Sequence, residues 1–229
     1  MTLFLNVTLQ LLEGLLYTLL IFGVTLLVAL PLGLLIAFGS KSKIKIISAI
    51  TRAFVWVIRG TPLMLQIIFF LFLPTSISNV AQKIGIPLDV ALRGEVALLI
   101  MVCVAFSINY ACYFSEIYRG GIQSIPAGQY EAAQVLGMTK SQTFSKVIFL
   151  QVVKRIVAPM SNEIITLVKD TALASVVIRL DLFTVAKGIV NTKAILWPIF
   201  YAGLFYLLIN GLLTILLGKL EKKLGYFKV

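Results

Sequence analysis

The sequence predicts an all-α membrane protein with five transmembrane helices, and three observations carry that reading. First, 60% of its 229 residues are hydrophobic and its mean hydropathy is +1.03, more apolar than a soluble core of this size needs. Second, the apolar residues are gathered into runs long enough to cross hydrocarbon, which takes about 20 residues of helix. Third, the basic residues behind the net charge of +11 sit in short clusters between those runs, where they set orientation in a bilayer and form no nucleic-acid face. The absence of histidine excludes histidine metal sites and histidine-based triads. Cys103 and Cys112 lie nine residues apart in one apolar run, on opposite faces of a helix, and are read as packing residues.

The first span is expected over 14–40. It carries no charge, exceeds the apolar core of a signal peptide, and has no Lys or Arg before Lys41, so it is read as a retained span. Within it Ala29, Gly33 and Ala37 recur at every fourth position, a small-residue stripe that lets another helix approach closely; packing within the chain is preferred here to a dimer seam. Pro31 is a site for a kink. After the basic segment 41–52, a second span over 53–73 contains Arg59 in the run RGTPLMLQ (59–66). An arginine at mid-depth costs roughly 3 kcal/mol, so Arg59, a turn or two inside, is expected to snorkel. Pro62 lacks an amide hydrogen and opens the helix beside it, as a hinge or as a tolerated kink.

Residues 74–94 are polar enough to lie outside the bilayer, with Gly85, Pro87 and Asp89 as turn material. A third span over 95–115 encloses Asn109, which either hydrogen-bonds a neighbouring helix or touches a ligand. The longest polar interlude follows, over 116–154. Pro126 and Gly128 interrupt the helix there, and 129–136 forms about two turns with Ala132, Ala133 and Leu136 on one apolar side. Gly137 is placed to end those turns, and Thr139 with Gln142 fits a capping box that starts the next helix. So short a helix is a poor span but suits a groove on a soluble partner.

The fourth span, over 155–178, encloses Glu163, Lys169 and Asp170. Each bare charge costs about 3 kcal/mol at mid-depth, whereas each Leu, Ile or Val returns about 0.3 to 0.6 kcal/mol, so the helix must be shielded. Glu163, Thr166 and Asp170 share a face, while Glu163 and Lys169 are six apart and make no i,i+4 pair. Two readings stand: a polar cavity for a zwitterionic solute, or an interhelical salt-bridge network. A polar loop with Arg179, Asp181, Lys187 and Lys193 leads to an uncharged fifth span over 194–218, which carries Trp197, Tyr201 and Tyr206 in its first half.

Orientation follows from the basic residues. Lys41, Lys43, Lys45, Arg52, Arg119, Lys140, Lys146, Lys154, Arg155, Lys219, Lys222, Lys223 and Lys228 fall on one side; Lys83, Arg93, Arg179, Lys187 and Lys193 fall on the other. The richer side is expected to be cytoplasmic, giving a multi-pass protein of the cell membrane with its N-terminus outside and its C-terminus inside.

Three separated motifs, RGTPLMLQ (59–66), YFSEIYRGGIQSIPAGQYEAAQVLGMTKSQTF (113–144) and NEIITLVKDTALASVV (162–177), occur in this order. Together they resemble the polar amino-acid permeases of ATP-binding-cassette importers, in which an EAA loop presents a short coupling helix to a cytoplasmic ATPase. The resemblance covers nearly the whole chain. It implies a type I importer permease fold made of one membrane domain, 1–229, with 116–154 as the cytoplasmic coupling loop. It also implies Gly128, Gln129, Glu131, Ala132, Ala133 and Gly137 as ATPase-coupling residues; the polar and charged residues enclosed by the spans, Arg59, Asn109, Glu163, Thr166, Lys169 and Asp170, are expected to line the substrate pathway. The partners so implied are ATPase subunits, a second permease subunit, an extracytoplasmic solute-binding protein and an amino-acid solute. Two departures bear on the route back into the membrane: the family's usual Leu-Pro stands here as Phe149-Leu150, and its Ser-Leu as Ala172-Leu173. The sequence holds no phosphate loop ending in Gly-Lys-Ser or Gly-Lys-Thr, so no cofactor and no catalysis are expected of this chain, and ATP is expected to be used by the partner. The alternative is a self-contained ion-coupled carrier or channel; such carriers commonly contain inverted repeats, and none is seen.

Overall fold

The structure, a computed structural model, describes residues 2–84, 86, 90 and 94–225, which form helices and no strand. The expected turn residues Gly85, Pro87 and Asp89 and the charges Arg93 and Lys228 lie outside the described residues.

The first helix, α1 (Thr2–Ser40), starts well before the span expected over 14–40. Its early residues have their own work. Phe4 stacks on Trp197 with ring centroids 5.8 Å apart, and the Thr8 hydroxyl reaches the Tyr201 hydroxyl at 3.4 Å. Buried positions recur three or four apart from Val7 through Thr18, Thr25 and Ala29 to Ala37, one continuous stripe. That stripe packs inside the chain: from Ile21 on it meets α4 (Glu95–Gln123), whereas Val7 and Leu11 pack with Leu182, Ala186 and Ile189. A Cβ on Gly33 would stand 2.9 Å from the Ala111 carbonyl oxygen and 2.9 Å from Phe114 Cβ, so only glycine allows this approach. The Tyr118 hydroxyl donates to the Leu30 carbonyl (3.3 Å), which sets the end of α4 beside the second half of α1.

The span expected over 53–73 is two helices, α2 (Lys45–Gly60) and α3 (Leu63–Lys83). Pro62 is the reason: Thr61 and Pro62 are both extended, and proline has no N–H to offer the helix behind it. The third crossing is α4, which runs past the expected residue 115 to Gln123 and carries the buried Val102, Phe106, Tyr110 and Phe114 of the main core.

Beyond α4 come α5 (Ala127–Val135) and α6 (Lys140–Gln142), then a π-helical stretch, Thr143–Ile148, and α7 (Phe149–Asp170). No proline stands at 149–150, so helical backbone continues unbroken from Lys140 to Asp170, and the wider π turn replaces a break. The fourth span therefore starts before the expected Arg155, and its α-helix ends at Asp170, followed by a 3₁₀ stretch, Thr171–Val176.

The segment read as a polar loop forms α8 (Leu182–Lys193). Asp181 caps it by accepting from the amides of Phe183 (3.1 Å) and Thr184 (3.2 Å). Leu182, Ala186 and Ile189 bury against α1, where a Cβ on Gly14 would meet Leu182 Cα at 2.9 Å. The left-handed Ala194 (φ 52°) ends α8, and α9 runs over Trp197–Leu224, later than the span expected over 194–218 at both ends.

Among the described residues, four helices are long and apolar enough to span alone: Leu3–Ser40, Leu63–Lys83, Glu95–Gln123 and Trp197–Leu224. Topology adds α7 as the fifth. α4 ends beside the Ser40 half of α1, and Arg155 near the start of α7 donates to the Ser124 carbonyl just past α4. α9 begins at the opposite end of α1, with Trp197 and Tyr201 against Phe4. The chain between must traverse the bundle, and the 22 residues of α7 span roughly 33 Å at 1.5 Å per residue.

Candidate functional site

Two groups of residues carry the candidate site, one on the α5 loop and one along α4, where α2, α3 and α7 each meet it. α5 stands on a small base formed by Ile125, Ile148 and Val152. Gly121 makes that base tight, since a Cβ there would fall 2.2 Å from Ile156 Cγ2. Gln151 ties the loop further by donating to the Val147 carbonyl (2.9 Å) and to Gln129 Oε1 (3.4 Å).

The end of α5 is closed by two backbone bonds, Met138 N–H to Ala133 O and Gly137 N–H to Gln134 O, each 3.0 Å. This is a Schellman closure, and it needs a left-handed residue, which Gly137 supplies at φ +71°. Thr139 and Gln142 then exchange both bonds of a capping box, 2.9 and 3.3 Å. Gly128, Gln129, Glu131 and Ala132 are exposed along α5, and Ala133 is buried. The apolar side expected for Ala132, Ala133 and Leu136 is therefore split: Ala133 faces the base, whereas Leu136 is 79% and Val135 88% exposed. Helical periodicity finds an apolar face but does not say whether this chain or another molecule covers it.

At the second group, Arg59 closes α2 beside the break. Its guanidinium lies 3.7 Å from Glu116 Oε2 and 5.0 Å from the centre of the Tyr113 ring, both on α4, so it meets a partner instead of snorkelling alone. Glu116 is gripped on both oxygens by Arg119, at 3.0 Å from Nε. Arg52, Trp56, Arg59, Glu116, Arg119 and Gln123 line a cavity of about 380 Å3. Nearby, partial burial first and the charge of Arg119 second hold the Lys41 ammonium below the usual lysine range.

Asn109 is buried and donates to Gln66 Oε1 on α3 (3.0 Å). The Tyr110 hydroxyl donates to Asp170 Oδ2 (2.6 Å), joining α4 to the end of α7. Glu163 and Thr166 are half-buried, and Lys169 is exposed on α7. Among the described residues the ion pairs within 4.0 Å are Arg59–Glu116 and Arg119–Glu116, neither of which involves Glu163, Lys169 or Asp170. Arg59 and Asp170 each meet α4, at Glu116 and at Tyr110, and Asn109 of α4 holds Gln66; along α7 Glu163 and Thr166 are half-buried and Lys169 is exposed. Carboxylates, a guanidinium and amides so placed can bind a zwitterion. Tyr110, Tyr113, Glu116 and Gln66 were missed as site residues. The signal for Gln66 was its position four residues after Pro62, and for Glu116 its place one turn along α4 from Tyr113 and Arg119.

Comparison with known proteins follows the same lines. Residues 29–226 match the family described as binding-protein-dependent transport system inner membrane component. The L-cystine transport system permease protein TcyB of Bacillus subtilis is 33% identical over 218 residues, which cover 93% of this chain and 86% of that protein. The arginine ABC transporter permease protein ArtM of Haemophilus influenzae is 32% identical over 217 residues, 94% of this chain and 92% of its own. The crystal structure of an amino acid ABC transporter with histidines superposes with a TM-score of 0.79 at 28% identity, covering 96% of each chain.

Proposed function

The chain belongs to the family of binding-protein-dependent transport system inner membrane components, and from that premise we propose that it moves a polar amino acid across the cell membrane as the permease subunit of an ATP-driven importer. The observation that carries this reading is α5, a capped nine-residue helix standing clear of the bundle between two spans, with Val135 and Leu136 uncovered at its tip. A helix so held is a handle for another protein. Gly128, Gln129, Glu131, Ala132, Ala133 and Gly137 couple it to a separate cytoplasmic ATPase, which uses the ATP; this chain binds no cofactor and catalyses nothing.

The whole chain, 1–229, acts as one membrane domain with 116–154 in the cytoplasm, the N-terminus outside and the C-terminus inside. The basic residues at the Ser40 end support that orientation. A second permease subunit completes the pathway, because α7 leaves Lys169 exposed and Glu163 and Thr166 only half-buried within one chain. Together with Arg59, Asn109 and Asp170 these residues line the solute's route, and a solute-binding protein delivers the amino acid from outside. Closure of the ATPase pair moves α5, and the spans with it, between two states whose contacts differ.

The test is uptake by the assembled complex in vesicles. Uptake should require ATP and the co-purified ATPase, and Val135→Asp should release the ATPase while the chain stays inserted. Transport by the purified chain alone down an ion gradient would overturn the reading in favour of a carrier.

A further inference from the structure

Gln66 is buried on the first turn of α3, and its amide is fully used. The use begins with Pro62. In a continuous helix the Ile58 carbonyl would accept from the N–H of residue 62, and proline has none. Gln66 Nε2 takes that place, donating to Ile58 O at 2.7 Å, and it also lies 3.1 Å from Thr61 O and 2.9 Å from Thr61 Oγ1. Two carbonyls can only accept, so the amide can face them only through its nitrogen. Its oxygen is thereby turned to α4, where Asn109 Nδ2 donates to it at 3.0 Å. Seven residues before Gln66 on one strand of this contact, and seven after Asn109 on the other, Arg59 meets Glu116. The interrupted span is thus fixed to α4 on both sides of its break.

We infer that Gln66 is a positioning residue for transport: by filling the carbonyl that Pro62 leaves open and by accepting from Asn109, it sets the end of α2 so that Arg59 faces Glu116 and Tyr113. Without Gln66, the part-buried Ile58 carbonyl would keep only the Thr61 hydroxyl, at 3.3 Å, and the Thr61 carbonyl would lose the Gln66 amide, leaving α2 freer to swing about Gly60 and carry Arg59 away from α4. Gln66 touches no solute in this scheme. It acts through Arg59.

Gln66→Glu is the sharpest change, because it keeps shape and places carboxylate oxygens against two carbonyls. In proteoliposomes holding the assembled complex, Gln66→Glu should lower maximal uptake per assembled complex about tenfold with ATP hydrolysis retained, while one unsatisfied buried group lowers the thermal midpoint. Arg59→Lys should give a similar loss. The double variant should be within about twofold of the slower single one, since residues acting through one another are not additive. Losses that multiply, or uptake by Gln66→Glu equal to that of the unaltered complex, would overturn the inference. Should Gln66→Glu fail to assemble, Gln66→Leu is compared alone and with Pro62→Ala, which restores an N–H for Ile58. Assembly recovered by the second change supports the inference, and assembly that stays lost overturns it. The inference rests on the import reading, and the two fail separately: an unaltered complex that imports nothing sinks that reading, whereas one that imports but ignores Gln66→Glu sinks this one.

Discussion

α4 and α7 both carry polar residues across the bundle, yet they dispose of them differently. On α4, Asn109 is bonded to Gln66, Tyr110 to Asp170, Ser115 to the Cys112 carbonyl, and Glu116 to Arg119. On α7, Asp170 is held by a tyrosine of α4, while Asn162 and Lys169 are exposed and Glu163 and Thr166 only half-buried. A polar group in hydrocarbon without a partner costs several kcal/mol, so α7 as it stands in one chain is not a lipid-facing helix. The difference separates two jobs. α4 is completed by its own chain and gives the bundle its frame, whereas α7 is completed by water, solute or a second subunit.

If that division is right, damage to α4 should appear first as lost stability. The largest effect is expected at Gly33→Leu, which drives a side chain into Ala111 and Phe114; overpacking of this kind costs about 3 kcal/mol. The thermal midpoint of the detergent-solubilised chain should fall accordingly, and an unchanged midpoint would mean α1 can slide on α4. Next comes Tyr110→Phe, which strips Asp170 of its donor across the α4–α7 contact and should cost about 2 kcal/mol, as for a hydrogen bond to a charged group. If Asp170→Asn in the Tyr110→Phe background costs as much as it does alone, the bond contributes nothing. Gly137→Ala should cost about 1 kcal/mol, because alanine must adopt the left-handed conformation that closes α5. Its readout is ATPase co-purification, since the space around Gly137 is open and no packing is lost.

These residues also mark what the sequence made legible. The apolar runs located the crossings, and the small stripe through Gly33 announced a close helix contact because size and spacing are local properties. The capping box at Thr139 and the role of Gly137 were equally local and equally readable. Pro62 announced a break, but its repair was hidden: Gln66 reads as an ordinary polar residue until α4 is placed beside it. α8 was read as loop because three basic residues outweighed the Leu182, Ala186 and Ile189 pattern behind the Asp181 cap. For α7 the charges were visible and their partners were not, since pairing across helices depends on an arrangement that spacing along one helix does not contain. Leu136 shows the same limit from the apolar side: its periodicity belongs to a covered face, and this chain does not cover it.

The smallest effect on stability, and the most telling, is expected at Glu163→Gln on α7. The carboxylate is half-buried and makes no hydrogen bond among the described residues, so the isolated chain should lose little, within about 0.5 kcal/mol as for surface changes away from packed features. Gln keeps the shape and removes the charge, and whatever depends on that charge must lie outside this chain. In the assembled importer the concentration for half-maximal uptake should therefore shift about tenfold or the choice among basic, acidic and neutral amino acids should change, as when one charge-assisted contact to solute is lost. Insertion and thermal midpoint would report the opposite case. A fall in midpoint comparable to that of Tyr110→Phe, with uptake per inserted molecule unchanged, would make Glu163 part of the frame, and the contrast between α4 and α7 would dissolve.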